Sequence, residues 1–488
     1  MSRILLIDLN IFAGYPSIAI GYLVSSLRDA SYQVEVLSPL VVGVRPPARE
    51  VVERAWHHWE RRISYSSRDW IIHPRRWLGG LRTRWRGRGK HHIVDACREH
   101  LQGDYDLIMI SAYTDELMVC EEIARMVQAR GIPLLIGGPI FSQASVAELW
   151  AEIPGVTAVV GAESERSVAE LVQATLTGND LSVYSGVFLP GGRRGPTSES
   201  EKELNTLPTP DFTDFPWSQY SHRIIPILAS RGCGWGKCKF CGDIVTANGR
   251  GYRARAVDNV LDEMRVQSDR HQTRNFAFLD LKLNSRPSLW RQMIDRIGEE
   301  LSDARWIGAV HVPVNTECGL TPQDLRNAKD AGMVRLTFGL ESGSQRILDA
   351  MDKGTRVERN IEFIQDANAA GISVRATVIQ GYPGETAEDL NKTVSMLEEV
   401  QSNLDRVRLN RINVLEGTLL ADDYANDPSS LEGIEDLNWT HSRAWSEYRN
   451  PSFRAPEYRN AMRRLLRAVH HINRKPIQEG ARAFHGMM

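Results

Sequence analysis

Residues 230–242 read SRGCGWGKCKFCG, which places Cys233, Cys238 and Cys241 in a Cys-x4-Cys-x2-Cys array. Three thiolates in so short a stretch are typical of a metal centre, and three protein ligands on a four-iron cluster would leave one iron open for a small molecule. A closed zinc site would need a fourth Cys or His, whereas His222 precedes the array by eleven residues and no His follows closely. The array therefore predicts an iron–sulfur cluster, with a zinc site or buried structural thiols as the alternatives.

The composition excludes several other classes of protein. The chain has 488 residues, of which 42% are hydrophobic and 25% charged, and its net charge of −2 argues against a polyanion binder. No run of eighteen apolar residues and no secretion signal is present, so we expect no membrane span. Six cysteines, three of them clustered, favour a reducing cytoplasm over a disulfide framework. We expect a cytoplasmic protein of two to four domains.

The cysteine array follows a predicted strand, IPILA at residues 225–229, and so lies on a loop at the carboxyl end of that strand. Strands and helices then alternate six times up to residue 425. Phe240 lies between the last two cysteines, and two later segments read FGLESGSQRILDAMDKGT (338–355) and VIQGYPGET (378–386). Together these features resemble the radical S-adenosylmethionine (radical SAM) superfamily.

The resemblance implies a partial (β/α)6 barrel over residues 221–425, with a 4Fe-4S cluster on Cys233, Cys238 and Cys241. In this superfamily the open iron chelates the amino and carboxylate groups of SAM. The first gap of the array is four residues here, whereas the usual gap is three. A Gly-Trp-Gly stretch can absorb the extra residue.

The resemblance also implies a SAM site at the carboxyl ends of the strands. Glu341 ends the fourth strand, where the family contacts the SAM ribose or amino group; a salt bridge is the structural alternative. Asp280 and Lys282 end the second strand, where the family positions the SAM amine and the substrate, although the usual GGE motif is absent. Arg375 is a candidate partner for the SAM carboxylate, or a structural ion pair. The predicted SAM-binding residues are Phe240, Asp280, Lys282, Glu341, Arg375 and Gln380.

The first 180 residues contain another run of alternating strands and helices. The predicted strands lie at 3–8, 32–37, 105–111, 132–138 and 157–161. This pattern predicts a doubly wound parallel sheet, which binds ligands at the carboxyl ends of its strands.

Four segments at those strand ends, PSIAIGYL (16–23), ISAYT (110–114), IGGP (136–139) and VVGAESE (159–165), resemble the cobalamin-binding domain that precedes many radical SAM domains. The resemblance implies a Rossmann-like cobalamin-binding domain over residues 1–180. No Asp-x-His-x-x-Gly motif is present, so no histidine cobalt ligand is expected. The predicted cobalamin-binding residues are Ser17, Gly21, Ser111, Tyr113, Thr114, Gly137, Gly138, Pro139, Gly161 and Glu163. A nucleotide-type or vestigial domain that binds nothing is the alternative.

An insertion at residues 45–95 interrupts this unit and is rich in arginine and tryptophan. Residues 45–90 carry thirteen Arg or Lys and four Asp or Glu. Such a segment could stack nucleobases or lie on a membrane surface, but we expect a lid of amphipathic helices beside the cofactor cleft. This interpretation predicts that Trp56, Trp59, Trp70 and Trp77 are largely buried. Residues 181–220, rich in Pro, Gly and Ser, are predicted to form the linker between the two units.

The predicted fold class is therefore α/β, with a small helical region at residues 426–488 that caps the substrate pocket. The resemblance implies a cobalamin-dependent radical SAM C-methyltransferase. It would act on an unactivated carbon of a small natural-product intermediate, through a 5′-deoxyadenosyl radical and methylcobalamin. Its implied cofactors are a 4Fe-4S cluster, SAM and cobalamin, and its implied partner is an external electron donor of flavodoxin or ferredoxin type. The alternatives are ring contraction, cyclisation or polar methylation with the same cofactors, or a non-catalytic protein that binds cobalamin or nucleic acid.

Overall fold

The computed structural model describes residues 1–9, 14–44, 51–68, 70–71, 92–245, 249, 251–315, 319–431, 434, 437–440, 444–448 and 450–487. Two β-sheets with parallel strands and flanking helices dominate this part of the chain. Both alternating strand and helix patterns predicted from the sequence are confirmed, because each predicted strand is present with small shifts at its ends.

The first sheet has seven strands. They are β1 (Arg3–Asp8), β2 (Gln33–Leu37), β3 (Leu107–Ser111), β4 (Leu134–Gly137), β5 (Ala158–Val160), β6 (Val187–Leu189) and β7 (Arg193–Arg194). Their order in space is β2-β1-β3-β4-β5-β6-β7. The first five are parallel and consist of apolar runs such as RILLID, which suit strands buried on both faces. The last two are antiparallel and extend the sheet into the predicted linker.

Helices cover both faces of this first sheet. They are α1 (Ile18–Asp29), α3 (residues 92–100), α4 (Leu117–Gln128), α5 (Ala144–Ala151) and α6 (Val168–Thr177), whereas α2 (Ala55–Ser64) lies in the insertion and packs on the C-terminal region instead. Alternate residues of β1 divide between the two faces, since Ile4 and Leu6 join one core cluster while Leu5 and Ile7 join the other. This is the doubly wound arrangement that the sequence predicts.

The second sheet has six parallel strands and holds the cysteine loop. They are β8 (Ile225–Ile227), β11 (Asn275–Phe278), β12 (Arg305–Val310), β13 (Met333–Glu341), β14 (Ser373–Gln380) and β15 (Arg406–Arg411), and they lie side by side in chain order. A two-stranded ribbon, β9 (Ser230–Arg231) and β10 (Arg253–Ala254), follows β8. The connecting helices are α7 (Val257–His271), α8 (Pro287–Glu300), α9 (Pro322–Asp330), α10 (Gln345–Ala350), α11 (Val357–Ala369) and α12 (Ala387–Glu399).

Local sequence signals explain where two of these helices begin. Thr386 precedes α12, and its hydroxyl accepts a hydrogen bond from the backbone N–H of Asp389, while the Asp389 carboxylate accepts from the Thr386 N–H. Thr321 and Asp324 form the same reciprocal pair at the start of α9. Such capping boxes satisfy N–H groups that the first helical turn leaves unpaired.

The C-terminal region covers the edge of the second sheet. It contains β16 (Val414–Leu415), α13 (Leu419–Asn426), β17 (Leu437–Thr440), β18 (Trp445–Tyr448) and α14 (Pro456–Asn473). Helix α14 packs against α12 and the edge strand β15. The Asn473 side chain accepts from the Val407 N–H at 2.7 Å and donates to the Val407 carbonyl at 2.8 Å, as a neighbouring strand would. The edge of the sheet is therefore covered here.

The prediction of buried tryptophans in the insertion is wrong for the three that the structure describes. Trp56, Trp59 and Trp70 are 57%, 65% and 69% exposed, and Trp77 lies outside the described residues. Helix α2 packs against α14 through a polar contact, in which Glu53 accepts hydrogen bonds from Arg61 and Asn473. Because polar groups make the contact between α2 and α14, the indole rings of α2 lie on its solvent-exposed face.

Candidate functional site

The cysteine loop begins and ends on the β9–β10 ribbon. Arg231 of β9 pairs with Arg253 of β10, so the segment that carries the three cysteines leaves and rejoins this ribbon after the first strand of the second sheet. Gly232 has a φ of +77°, and a Cβ at this position would lie 2.0 Å from the Gly251 carbonyl oxygen. The base of the loop therefore requires glycine.

The loop lies against the segment that follows α10. The Trp235 indole donates to the Asp352 carbonyl at 2.7 Å, and the Lys239 N–H donates to the Met351 carbonyl at 2.9 Å. Gly354 has a φ of +64°, and a Cβ there would lie 2.4 Å from the Trp235 ring. The Gly-Trp-Gly stretch of the unusually long first gap thus has a packing role, because its tryptophan fixes the loop to this segment.

The three cysteine thiols are free and only partly exposed. Burial raises the pKa of Cys238 to about 11 and that of Cys241 to about 12, and neighbouring acidic groups contribute to both shifts. Among the described residues, no group of three or more Cys, His, Asp or Glu side chains is arranged to hold a metal ion. The chemistry of the donor set nevertheless suits an iron–sulfur cluster, since three thiols on one short loop are its typical ligands.

A buried ion pair lies beside the loop. The Lys353 ammonium donates to Glu341 Oε1 at 3.0 Å, and the Thr377 hydroxyl lies 3.3 Å from Glu341 Oε2. Burial opposes the charge of Lys353, but Glu341 and Cys238 together raise its pKa above the usual value. Glu341 ends β13 with a φ of +58°. A Cβ on Gly339 would lie 2.1 Å from the Glu341 carboxylate and 2.5 Å from the Lys353 nitrogen, so the pair needs this glycine.

Phe240 belongs to the cysteine loop, and Asp280 and Lys282 follow the strand β11. The Lys353 nitrogen is 5.8 Å from the centre of the Phe240 ring. Asp280 is buried and accepts hydrogen bonds from the Ser230 hydroxyl at 2.5 Å and the Ala229 N–H at 3.1 Å. Burial raises the pKa of Asp280 to about 6. Lys282 is also buried. Their SAM-binding roles stay predictions, but Asp280 holds the residues from which the loop starts.

The structure does not bring Arg375 to the loop. Its guanidinium donates to the carbonyl of Met487, near the end of the chain. Arg375 pairs with Thr337 in the sheet, whereas Glu341 pairs with Val378, three residues closer to the carboxyl edge. Measured along the strands, Arg375 therefore lies about 10 Å farther from the carboxyl edge of the sheet than Glu341 does. The sequence pattern placed Arg375 on the correct strand but carried no information on the C-terminal segment that occupies its guanidinium.

Gln380 ends β14 and belongs to a buried polar chain with the C-terminal region. Its amide donates to the Tyr458 hydroxyl at 2.7 Å, and that hydroxyl donates to Glu385 at 2.6 Å. Burial raises the pKa of Glu385 to about 7. Tyr458 and Glu385 are absent from the sequence-based site, because their meeting depends on how α14 docks.

The predicted cobalamin-binding residues gather at the carboxyl edge of the first sheet, with one exception. Ser111 and Gly137 are the last residues of β3 and β4, and the residues that follow these strands and β5 lie at the same edge. A Cβ on Gly138 would lie 2.1 Å from the Ala112 carbonyl oxygen, and one on Gly161 would lie 1.9 Å from that of Phe141. These glycines therefore allow the strand ends to approach one another. Ser17, Tyr113, Thr114 and Pro139 also lie in the turns after these strands or before their helices.

Gly21 is the exception. It is buried within α1, and a Cβ there would lie 2.4 Å from the ring of Phe212, in the segment that joins the two sheets. Packing of that segment therefore accounts for glycine at this position.

Glu163 belongs to an ion-pair network that joins the two sheets. Glu163 pairs with Arg253 at 2.8 Å, and Glu165 pairs with Arg231 at 2.6 Å. Both acids follow β5, whereas both arginines lie on the ribbon at the base of the cysteine loop. Beside them, the Gln143 amide donates to the Val245 carbonyl at 2.6 Å, four residues after Cys241. The carboxyl edges of the two sheets thus face each other across these contacts.

An open sheet of six parallel strands, with three cysteines on the loop after its first strand, defines the radical SAM class of proteins. Residues 227–397 match the family model of the Radical SAM superfamily. The chain therefore contains a radical SAM domain. Its two-sheet fold is similar to that of a solved structure.

That structure is the radical SAM methyltransferase TsrM from Kitasatospora setae, with cobalamin and a [4Fe-4S] cluster bound. It is similar to the chain with a TM-score of 0.68 and 16% identity, over 99% of this chain and 92% of that one.

Two curated relatives are similar over most of the chain. An uncharacterized methyltransferase, PH0819, from Pyrococcus horikoshii is 25% identical over 61% of this chain and 65% of its own length. A bacteriochlorophyllide d C-12(1)-methyltransferase from Chlorobaculum tepidum is 26% identical over 60% of each. The match thus spans less than two thirds of either relative.

None of the helices in the described part of the chain is long and apolar enough to span a membrane.

Proposed function

We propose that the chain is a cobalamin-dependent radical SAM enzyme in which Cys233, Cys238 and Cys241 hold a 4Fe-4S cluster that binds SAM. One observation carries the proposal. The loop with the three free thiols and the buried Glu341–Lys353 pair lies at the carboxyl edge of one parallel sheet, and this edge faces that of the other. In the proposed reaction a chemical group passes between the SAM site and the cobalamin site, so the two sites must lie close together.

The proposed domain arrangement follows from the same geometry. Residues 1–180 would form the cobalamin-binding domain, and residues 181–220 the linker, part of which completes the first sheet. Residues 221–425 would form the partial radical SAM barrel, and residues 426–488 the cap. The glycines after β4 and β5 support this arrangement, since they let the strand ends lie close together at the edge where such sheets bind ligands.

The residues around the loop have positioning roles in this proposal. When bound, the cluster and SAM supply a radical that can take hydrogen from an unactivated carbon, and cobalamin supplies a methyl group. The Glu341 carboxylate, which contacts Lys353 and Thr377, would accept hydrogen bonds from the SAM ribose or amino group. Asp280 would orient the base of the loop through Ser230. An external electron donor of flavodoxin or ferredoxin type would reduce the cluster.

C-methylation of a small molecule is the reaction that we propose. It is supported by the similarity to the bacteriochlorophyllide d methyltransferase and to the methyltransferase TsrM. Ring contraction, cyclisation or polar methylation with the same cofactors are the alternatives. The buried ion pair beside the cysteine loop favours an enzyme over a non-catalytic binding protein, because perturbed charged groups of this kind cluster at functional sites.

The test is to reconstitute the protein anaerobically with iron, sulfide and cobalamin, and to supply SAM and a strong reductant. We expect 5′-deoxyadenosine and S-adenosylhomocysteine to accumulate. The triple variant C233A/C238A/C241A should form no 5′-deoxyadenosine, whereas Cys97→Ala, a buried cysteine of the first sheet's core, should retain it. Formation of 5′-deoxyadenosine by the triple variant would contradict the proposal.

A further inference from the structure

His311 lies at the carboxyl edge of the second sheet and is held there by its backbone. It directly follows β12. Its N–H donates to the side-chain oxygen of Asn284 at 2.9 Å, and the Asn284 amide donates back to the His311 carbonyl at 2.8 Å. Asn284 is fully buried. This reciprocal pair fixes the position of His311 between the strand that leads to Asp280 and the strand that ends at Glu341.

The imidazole ring of His311 packs beside the cysteine loop. Its centre lies 6.5 Å from that of Trp235, with an angle of 23° between the two ring planes. The ring also hydrogen-bonds the backbone of Gly354, the residue after Lys353. The contact with Trp235 places the imidazole next to the stretch between Cys233 and Cys238.

One ring nitrogen has no partner. His311 Nε2 is buried, and no residue in the described ranges forms a hydrogen bond with it. Burial lowers the pKa of His311 well below its usual value, and the nearby Lys353 and Lys282 lower it further. The ring is therefore neutral near pH 7. Because the Gly354 carbonyl takes the ring N–H, Nε2 carries a lone pair and is an acceptor.

We propose that His311 Nε2 accepts a hydrogen bond from an O–H or N–H group of SAM bound at the cysteine loop, which makes His311 a further SAM-binding residue. A buried acceptor without a partner is unfavourable, so a donor is expected to meet it in the bound state. SAM offers ribose hydroxyls and amino groups as donors. The inference rests on the proposed function, because it assumes that SAM binds beside Cys233, Cys238 and Cys241.

The test compares His311→Phe with His311→Gln in the reconstituted holoenzyme. Phenylalanine keeps a flat ring beside Trp235 but has no acceptor, whereas the glutamine side-chain oxygen can reach the position of Nε2. The readout is the dissociation constant of radiolabelled SAM, measured without substrate and with iron content determined in parallel. We expect His311→Phe to raise this constant about tenfold and His311→Gln to stay within about threefold of the unmodified protein.

Several outcomes would overturn the inference separately from the proposed function. If His311→Phe holds the same iron and binds SAM as tightly as the unmodified protein, Nε2 faces a water molecule or a substrate and the inference is wrong. If the His311→Phe variant loses iron, SAM binding is measured with the His311→Asn variant instead. The asparagine side chain can reach Gly354 but not the position of Nε2. Equal SAM binding by His311→Asn then contradicts the inference. An unmodified protein that holds iron but binds no SAM contradicts the proposed function itself.

Discussion

Arg231 and Glu165 form an ion pair at 2.6 Å in which both side chains are almost completely buried. Arg231 stands two residues before Cys233, and Glu165 follows the strand β5 of the other sheet. The Arg231 guanidinium also lies 5.6 Å from the centre of the Tyr22 ring of α1. The base of the cysteine loop is thus tied directly to the edge that is proposed to bind cobalamin. In the proposed function, this contact sets the distance between the two cofactors.

Breaking this pair should destabilise the protein strongly. Arg231→Met leaves Glu165 buried without its partner, and we expect the free energy of unfolding to fall by about 3 kcal/mol or more. Chemical denaturation monitored by circular dichroism would measure the change. Arg193→Met, which breaks the exposed pair with Asp180, is the control and should have little effect. Equal effects of the two substitutions would show that the buried pair has no special role.

Adding a methyl group beside Glu341 should impair SAM cleavage. In Gly339→Ala the new Cβ would overlap the Glu341 carboxylate, so the Glu341–Lys353 pair must move. We expect the rate of 5′-deoxyadenosine formation to fall by roughly a hundredfold, because small displacements at a reacting site are costly. Gly298→Ala in α8, where the new Cβ would lie 3.7 Å from the Cβ of Ala331 at an ordinary contact distance, should leave that rate unchanged. An unaffected Gly339→Ala enzyme would exclude Glu341 from the SAM site.

The exposed tryptophans of the insertion should contribute little to stability. Trp59→Ala is expected to change the free energy of unfolding by less than about 0.5 kcal/mol, since the ring is largely exposed. Trp306→Ala, at a fully buried position in β12, should cost about 3–5 kcal/mol. Thermal denaturation of both variants gives the comparison. A large loss of stability in Trp59→Ala would mean that this ring is buried after all.

Glu385 should make stability depend on pH. Its pKa in the folded protein is raised to about 7 by burial, so the folded state holds a proton that the unfolded state releases above pH 4.5. Stability is therefore lost as pH rises from 4.5 to 7, by an amount on the order of 3 kcal/mol. Glu385→Gln cannot release this proton and should flatten the profile over that range. Denaturation curves at pH 5 and pH 7.5 measure the difference, and parallel profiles for the two proteins would refute the assignment.

Much of the fold could be predicted from local patterns. The apolar run of β1 and the alternation of strands and helices indicate parallel sheets, and the strand IPILA before Cys233 places the three cysteines on a loop at a strand end. Glu341 was predictable as a strand-end acid. Its partner Lys353 lies in the segment 338–355, which carries part of the family resemblance. The ion pair itself could not be predicted, because it depends on the turn after α10.

The remaining features arise from long-range packing, which no local pattern encodes. Arg375 is on the predicted strand, but Met487, more than a hundred residues later, occupies its guanidinium. The strands β6 and β7 lie in a segment whose Pro, Gly and Ser content is typical of a linker. The polar contact between Glu53 and Asn473 leaves the tryptophans of α2 outside, whereas a lid of amphipathic helices would bury them.

The most direct test of the central claim is the iron content of the anaerobically reconstituted protein. We expect about four irons per chain in the unmodified protein. We expect none above background in the variant C233A/C238A/C241A, and the full content in Cys97→Ala. If the triple variant still holds about four irons, the three cysteines are not the ligands and the account is wrong.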